Sequence, residues 1–351
     1  MPILDFDTNS VGLADNNIFG LPSNMDNSKL ILIPVPWEVT VSYRNGTAKG
    51  PEKILEASYQ IDLFDIDSPD MWKEGFYLLD FNKDIIKKND YLRHCAELII
   101  SNLSEGGSTK ENIQLQKKLD EINQGCQQLN EWVYQQAKEL LNKGKMVALI
   151  GGDHSTPLGL MKAIGEHYND FGLLQIDAHA DLRQAYEGFT YSHASIMYNV
   201  LNEVPQMKKL VQVGVRDFCD EEYYMIQNNP NRIKTFFDNS IKKRMYNGDT
   251  WNQVCNDIIN ELPQNVYISF DIDGLDPKLC KNTGTPVQGG FEADEILYLF
   301  QKIHDSGRKI LGFDLNEVSC GEDSTDAIDA SVGARTLYRM CNLFMKSNLN
   351  A

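Results

Sequence analysis

A single α/β domain built on a mostly parallel, eight-stranded sheet is the fold this sequence predicts. Three observations carry that expectation. Short apolar, β-branched runs alternate with stretches of helical periodicity from about residue 30 onward. Most of these runs are apolar almost throughout, the pattern of strands buried on both faces. Polar residues gather at or just after the ends of four of them, which is where open α/β sheets bind their ligands.

The expected strands, in order, are LILIPVP (30–36), FYLLD (76–80), MVALI (146–150), GLLQID (172–177), LVQVGV (210–215), IKTFF (233–237), VYISFDID (266–273) and ILGFDL (310–315). The clearest helix runs from about Glu111 to Asn142. Leu115, Leu119, Ile122, Cys126, Leu129, Val133, Ala137 and Leu140 keep a spacing of three or four there, and Gly144 follows as a stop signal. Further helices are expected over 157–168, 192–203, 241–261, 292–306 and 325–346. Residues 1–29 are polar and rich in Asn, Asp and Gly, so they read as an irregular arm that wraps the surface or stays loose. No repeat or linker divides the rest of the chain, which leaves 30–351 as one catalytic domain.

Composition narrows the function classes. Hydrophobic residues at 42% and charged residues at 24% fit a soluble globular protein. No apolar run approaches the roughly 20 residues that cross a bilayer, and the N-terminus lacks the pattern of a secretory leader. Seven scattered cysteines, an odd number without a CxxC pair, suit a reducing cytoplasm. A net charge of −17 disfavours nucleic acid and anionic membrane as partners and favours approach of a cation.

The chemistry gathers in four segments. ALIGGDHST places Asp153 and His154 after a strand and a Gly-Gly turn. QIDAHADL sets Asp177, His179 and Asp181 two residues apart, SFDIDGLDP carries Asp271 and Asp273, and GFDLNEVS carries Asp314 and Glu317. In an extended chain, residues two apart share a face. An isolated Asp-x-Asp or Gly-Gly-Asp-His reads as a solvated loop or turn, but four such segments at strand ends point to a shared site. Five or six such groups converging without counter-charge are costly to bury, and divalent cations remove that cost. Carboxylates and imidazoles suit Mn, Zn, Ni, Co or Fe(II), and the lack of nearby thiolates argues against a structural zinc site. Two ions roughly 3.5 Å apart, sharing carboxylates, would use every donor. His94, His167 and His304 lie on helical or polar stretches and read as surface or structural residues.

These segments, in this order, resemble the ureohydrolase family of arginases, agmatinases and related guanidino hydrolases. SYRNGTAKGPEKI (42–54), YSHAS (191–195) and NTGTPVQGG (282–290) add to the likeness, which runs from about residue 30 to the end. The resemblance implies an arginase-type three-layer α/β/α sandwich, assembled as a homotrimer or homohexamer, with two Mn²⁺ per subunit, or Ni²⁺ in some members. Carried over by motif, one ion would be held by His154, Asp177, Asp181 and Asp271. The other would be held by Asp177, His179, Asp271 and Asp273, with Asp177 and Asp271 bridging. Water between two cations is acidified until hydroxide is available near neutral pH, and Asp181 is counted with the catalytic set. Glu317 would hold the cationic guanidinium, and His193 matches the proton shuttle. The products implied would be urea and an amine or ammonia.

One loop departs from arginases. DLRQAYEGFTYSHAS lacks their substrate-binding Asn and Ser set and carries Arg183 instead, which tilts the substrate toward an agmatine-like cation. Arg183 reads first as an internal partner of Glu187, four residues on, and second as a contact to a substrate carboxylate. Trp37 is expected in a pocket wall. Alternatives are free guanidine, a guanidino acid (guanidinobutyrate, guanidinopropionate, arginine), formiminoglutamate, and an inactive metal-binding relative.

Overall fold

The computed structural model describes residues 6–9, 16–321 and 327–349. Its strands are β1 (Leu30–Val35), β2 (Phe76–Leu78), β3 (Met146–Gly151), β4 (Phe171–Ile176), β5 (Met207–Val213), β6 (Ile233–Phe236), β7 (Asn265–Asp271) and β8 (Lys309–Asn316). They form one sheet in the order β2-β1-β3-β8-β7-β4-β5-β6. Every pairing is parallel, so the expected "mostly parallel" sheet is wholly so.

The continuous apolar runs have the predicted cause. In β1, Leu30 and Leu32 enter one core while Ile31 and Ile33 enter another, and all four are fully buried. The first core lies under α1 (Gly50–Ser58), α8 (Trp251–Glu261), α9 (Ala293–Asp305) and α10 (Ile328–Leu349). The second lies under α2 (Lys83–Ser104), α3 (Ile113–Asn142), α4 (Leu158–Tyr168) and α5 (Ile196–Glu203). A sheet buried on both faces needs side chains that are apolar at every position.

Several helices differ from expectation. The helix expected over 241–261 is two, α7 (Asp238–Tyr246) and α8. Gly248, at φ +109°, breaks the run, and Thr250 restarts it with a capping box to Gln253. Helices α1, α2 and α6 (Asp220–Asn228) add to the expected set. The start of α2, KDIIKKND, is too charged to show its buried stripe of Ile85, Leu92, Cys95, Ala96 and Ile99. Residues 325 and 326 of the last expected helix lie outside the described residues, as do 1–5 and 10–15 of the arm. The described part of the arm packs firmly. Ile18, Phe19 and Leu21 are buried, Phe19 meets Phe76 and Tyr338 edge-on, and the Asn17 side chain exchanges two hydrogen bonds with the Leu78 backbone.

The topology fixes where a site can form. All strand C-termini face one edge of the sheet. β3 and β4 are consecutive in sequence, yet β8 and β7 stand between them. The chain leaves β3 and β4 at a point where the strand order reverses, the usual place for a crevice.

Candidate metal centre and cleft

Close backbone approach builds the β3 turn. A Cβ on Gly152 would overlap the Trp37 carbonyl oxygen, and one on Gly151 would overlap Asn316 Oδ1. Only glycines let the chain turn here and present His154. The His154 Nε2 is within hydrogen-bonding distance of Ser269 Oγ at 2.9 Å, and that hydroxyl donates to Asp314 Oδ1 at 2.9 Å. The Asn316 amide also donates to Asp314. One face of the imidazole is thereby committed. The other nitrogen, Nδ1, is buried without a hydrogen-bond partner and faces Asp177 Oδ2 at 2.9 Å, Asp181 Oδ2 at 3.0 Å and Asp271 Oδ2 at 3.3 Å.

The loop after β4 brings the remaining groups inward. Asp181 adopts φ +54°, unusual for a residue with a side chain. Its carbonyl accepts from the Met197 and Tyr198 N–H groups at the start of α5, which frees its carboxylate to turn toward His154. His179 Nδ1 lies 3.0 Å from Asp273 Oδ2 and 3.5 Å from Asp177 Oδ1. Asp273 is anchored by its other oxygen, which accepts the Ala178 N–H at 3.0 Å. Arg216 grips the Asp273, Leu275 and Val287 carbonyls and so holds the segment after β7 in place.

Two overlapping donor groups result, His154–Asp177–Asp181 and Asp177–His179–Asp273, and each keeps its ligand atoms within 4.8 Å of one another. They share Asp177, and Asp271 lies against the first. All six side chains singled out as ligands therefore meet in space. The electrostatics show what such a cluster lacks. Burial and the Asp177 charge push the Asp181 carboxyl up to about 8. Burial, with Asp273 and Asp177, raises Asp271 well above the carboxylate range. Asp177 is itself buried, yet the two imidazoles hold its pKa below normal. The carboxylates compete for too little positive charge, and three of them crowd the one buried nitrogen His154 Nδ1. A pair of cations bound by N and O donors answers both, and no cysteine belongs to either group.

Above this cluster lies a cleft of about 160 Å³, with Glu317, His193, Arg183, Tyr186, Asp217 and Phe218 among its lining residues. Glu317 also takes a left-handed backbone, φ +64°. Its N–H donates to the Gly152 carbonyl, and its Oε1 accepts the His154 N–H at 2.9 Å. Burial and the neighbouring Asp153 raise its pKa well above normal. His193 is placed by its own backbone, whose N–H donates to Thr40 Oγ1 at 3.1 Å, while Thr40 donates to the buried Asp153 at 3.3 Å. Burial first, and the His179 charge second, push the His193 imidazole down to about 3.

Two placements differ from the sequence reading. Arg183 does not take Glu187 as its partner. Its Nε lies 3.9 Å from Glu222 Oε2, and its guanidinium sits 4.8 Å from the centre of the Tyr186 ring. Glu187 turns away at φ +55° and lies near Arg93. Trp37 forms no wall of the cleft; it is fully buried in the core beneath α2–α5. Its loop serves the site through the backbone, since the Trp37 carbonyl accepts the Asp153 N–H at 2.8 Å. His94, His167 and His304 stand on helices α2, α4 and α9, and none lines the cleft.

The family model described as the arginase family matches residues 28–342 of the chain. The chain belongs to the arginase family. Among its relatives, the N(1)-aminopropylagmatine ureohydrolase of Thermus thermophilus is 28% identical over 297 residues, 84% of each chain. The agmatinase of Cronobacter sakazakii is 29% identical over 320 residues, 89% of this chain and 88% of the relative. Among solved structures, the agmatine ureohydrolase of Thermoplasma volcanium superposes with a TM-score of 0.70 at 20% identity, covering 93% of this chain and 94% of the other. That likeness establishes the arginase fold, and the family membership makes the chain a ureohydrolase-type hydrolase. No helix among the described residues is long and apolar enough to cross a membrane.

Several contributors were missed from sequence. Thr40 and Glu222 carry no motif signal of their own, and Ser269 lies inside SFDIDGLDP without being singled out. Gln175 and Gln212 did carry a signal, as polar residues inside apolar strand runs.

Proposed function

We propose that this enzyme hydrolyses the guanidino group of a small cationic substrate of agmatine type, giving urea and an amine. The observation that carries this reading is the juxtaposition of the buried Glu317 carboxyl with the six-ligand cluster across one small cleft. His154, Asp177, Asp181 and Asp271 would hold one Mn²⁺, and Asp177, His179, Asp271 and Asp273 the other, with Ni²⁺ as the alternative metal. Such a pair acidifies water so that a nucleophile is available at neutral pH.

The chain's own groups do the rest. Glu317 pairs with the guanidinium and, being fixed by the His154 N–H, orients its planar carbon over the cluster. Enclosure in the cleft strengthens that pairing. His193 is held neutral by burial, so it would accept the proton released by the attacking water and pass it to the leaving amine.

The far end of the substrate meets the outer rim. Arg183 is already compensated by Glu222 and stacked on Tyr186, so it repels a cationic tail little. Among the described residues the Asp217 carboxylate on the same rim has no ion-pair partner and is free to receive an ammonium group. A second reading comes from the same rim. The Arg183 side chain remains 37% exposed in the cleft, which would suit the carboxylate of a guanidino acid.

The test is urea release from agmatine, arginine, guanidinobutyrate, guanidinopropionate, guanidinoacetate and guanidine, with Mn²⁺ and Ni²⁺ in parallel. Agmatine-type cations are expected to lead. A guanidino acid turned over faster than any of them would select the second reading, and silence toward all with both metals would defeat both. The homotrimeric or homohexameric assembly belongs to this proposal, and light scattering decides it.

A further inference from the structure

Two glutamines interrupt the apolar runs LLQID and LVQVG, and both Gln175 and Gln212 are fully buried. A buried amide left unpaired costs about 1–3 kcal/mol, so each must find partners. The strand register supplies them. Gln175 of β4 is level with Gln212 of β5, which is level with Thr235 of β6. Their side chains form one directed chain. Thr235 Oγ1 donates to Gln212 Oε1 at 2.7 Å, Gln212 Nε2 donates to Gln175 Oε1 at 2.7 Å, and Gln175 Nε2 donates to Asp177 Oδ2 at 2.8 Å. Gln212 Nε2 also donates to the Ala180 carbonyl at 2.7 Å, which ties the loop bearing His179 and Asp181 to β5.

The chain ends on one oxygen of a carboxylate whose other oxygen is held differently. Asp177 Oδ1 accepts the His179 N–H at 2.6 Å. Oδ2 faces His154 Nδ1 at 2.9 Å, while Oδ1 faces His179 Nδ1 at 3.5 Å. Terminal carboxylate torsions are broad and nearly two-fold when left alone. Here each oxygen has its own donor, so the carboxylate is locked with one oxygen toward each donor group.

We propose that Gln175, Gln212 and Thr235 are positioning residues. Together they form a relay across three strands that fixes the rotation of Asp177 and so keeps one of its oxygens for each metal seat. The inference rests on the two-metal reading of the cleft. Donors linked in a chain polarise one another, so the contact to Oδ2 depends on the bonds behind it. Outer partners of this kind are worth about 10- to 100-fold in metal affinity. The effect should fade with distance from Asp177.

The test is titration of the metal-free enzyme with Mn²⁺, resolving the two binding steps, together with the Tm of each metal-free variant. Gln175→Leu is expected to weaken one step about 10- to 100-fold with the other changed much less. Gln212→Leu should weaken the same step by a smaller factor, and Thr235→Val least. If Gln175→Leu does not fold, Gln212→Leu reads the relay one bond further out. Wild-type affinities in the glutamine variants that fold would overturn the relay. So would equal weakening of both steps in proportion to lost Tm, the mark of a merely structural role. A wild-type enzyme that binds fewer than two ions removes the two-metal reading and the relay with it, and shows this before any variant is made.

Discussion

His154 Nδ1 and Asp177 Oδ2 lie 2.9 Å apart, although β8 and β7 stand between the strands that lead to them. The Gly151–Gly152 turn makes this contact, carrying the imidazole back over two strand ends. An arrangement of that kind gains its value from what binds between the partners.

Asp177 belongs to both donor groups, and Asp271 Oδ2 lies 3.3 Å from His154 Nδ1 and feels the charges of both Asp273 and Asp177. Replacing either by Ala should empty both seats rather than one. Elemental analysis after Mn²⁺ reconstitution is expected to fall from two ions per chain to near none, with urea release abolished. Normal turnover in either variant would refute the site.

His193 takes no part in either donor group. His193→Ala should therefore keep both ions and lower kcat by about 10²- to 10⁴-fold, the usual value of a positioned acid or base. Since burial and His179 push its pKa down to about 3, the residue does not titrate between pH 5 and 9. Any limb of the pH–rate profile in that range should keep its position in the variant, which stopped-assay profiles can show.

Asp181 gives the metal-free protein a pH signature. Burial and Asp177 push its carboxyl up to about 8 from an ordinary 3.8, so it is protonated at pH 7 when folded and ionised when unfolded. The folded state thus binds the extra proton, and its contribution to stability is full below about pH 4 and is lost as pH rises toward 8. Metal must expel that proton. Calorimetry in buffers of different ionisation heat should record proton release on Mn²⁺ binding at pH 7, to which the raised Asp271 carboxyl adds. Affinity should rise with pH. Binding without proton release at pH 7 would contradict the arrangement.

Gly152 tests the turn itself. A methyl group there overlaps the Trp37 carbonyl, and backbone cannot yield as a flexible side chain can. Gly152→Ala should cost at least the upper end of the about 1–3 kcal/mol typical of overpacking, read as a lower denaturation midpoint. Metal affinity should fall with it because His154 comes two residues later. At Gly144, by contrast, a Cβ meets nothing within 4 Å, and any cost of Ala there comes from its positive φ alone.

The central strands were legible because they are buried on both faces and therefore apolar at nearly every position, as β1 and β4 show. Helix α2 was not, because its first turns are charged and a polar Asn89 interrupts its buried stripe between Ile85 and Leu92. The metal-type residues were legible for the opposite reason. Asp177, His179, Asp181, Asp271 and Asp273 contradict the apolar runs that precede them, and such contradictions mark sites. Gln175 carried the same signal more faintly, a single polar residue among Leu173, Leu174 and Ile176.

The sequence by itself determined the parallel α/β architecture, the edge of the sheet that would be functional and the six polar groups gathered there, since all three follow from local periodicity and polarity. The tertiary structure alone decided which groups share a partner. Arg183 meets Glu222 from α6 and not its helical-spacing neighbour Glu187, because the 183–191 loop is not helical. Trp37 goes into the core because its loop serves the site with backbone. Asp177 draws its orientation from a strand two positions away in the sheet. Pairings of this kind depend on strand order and loop path, which are set by packing across the whole domain and leave no trace in local spacing.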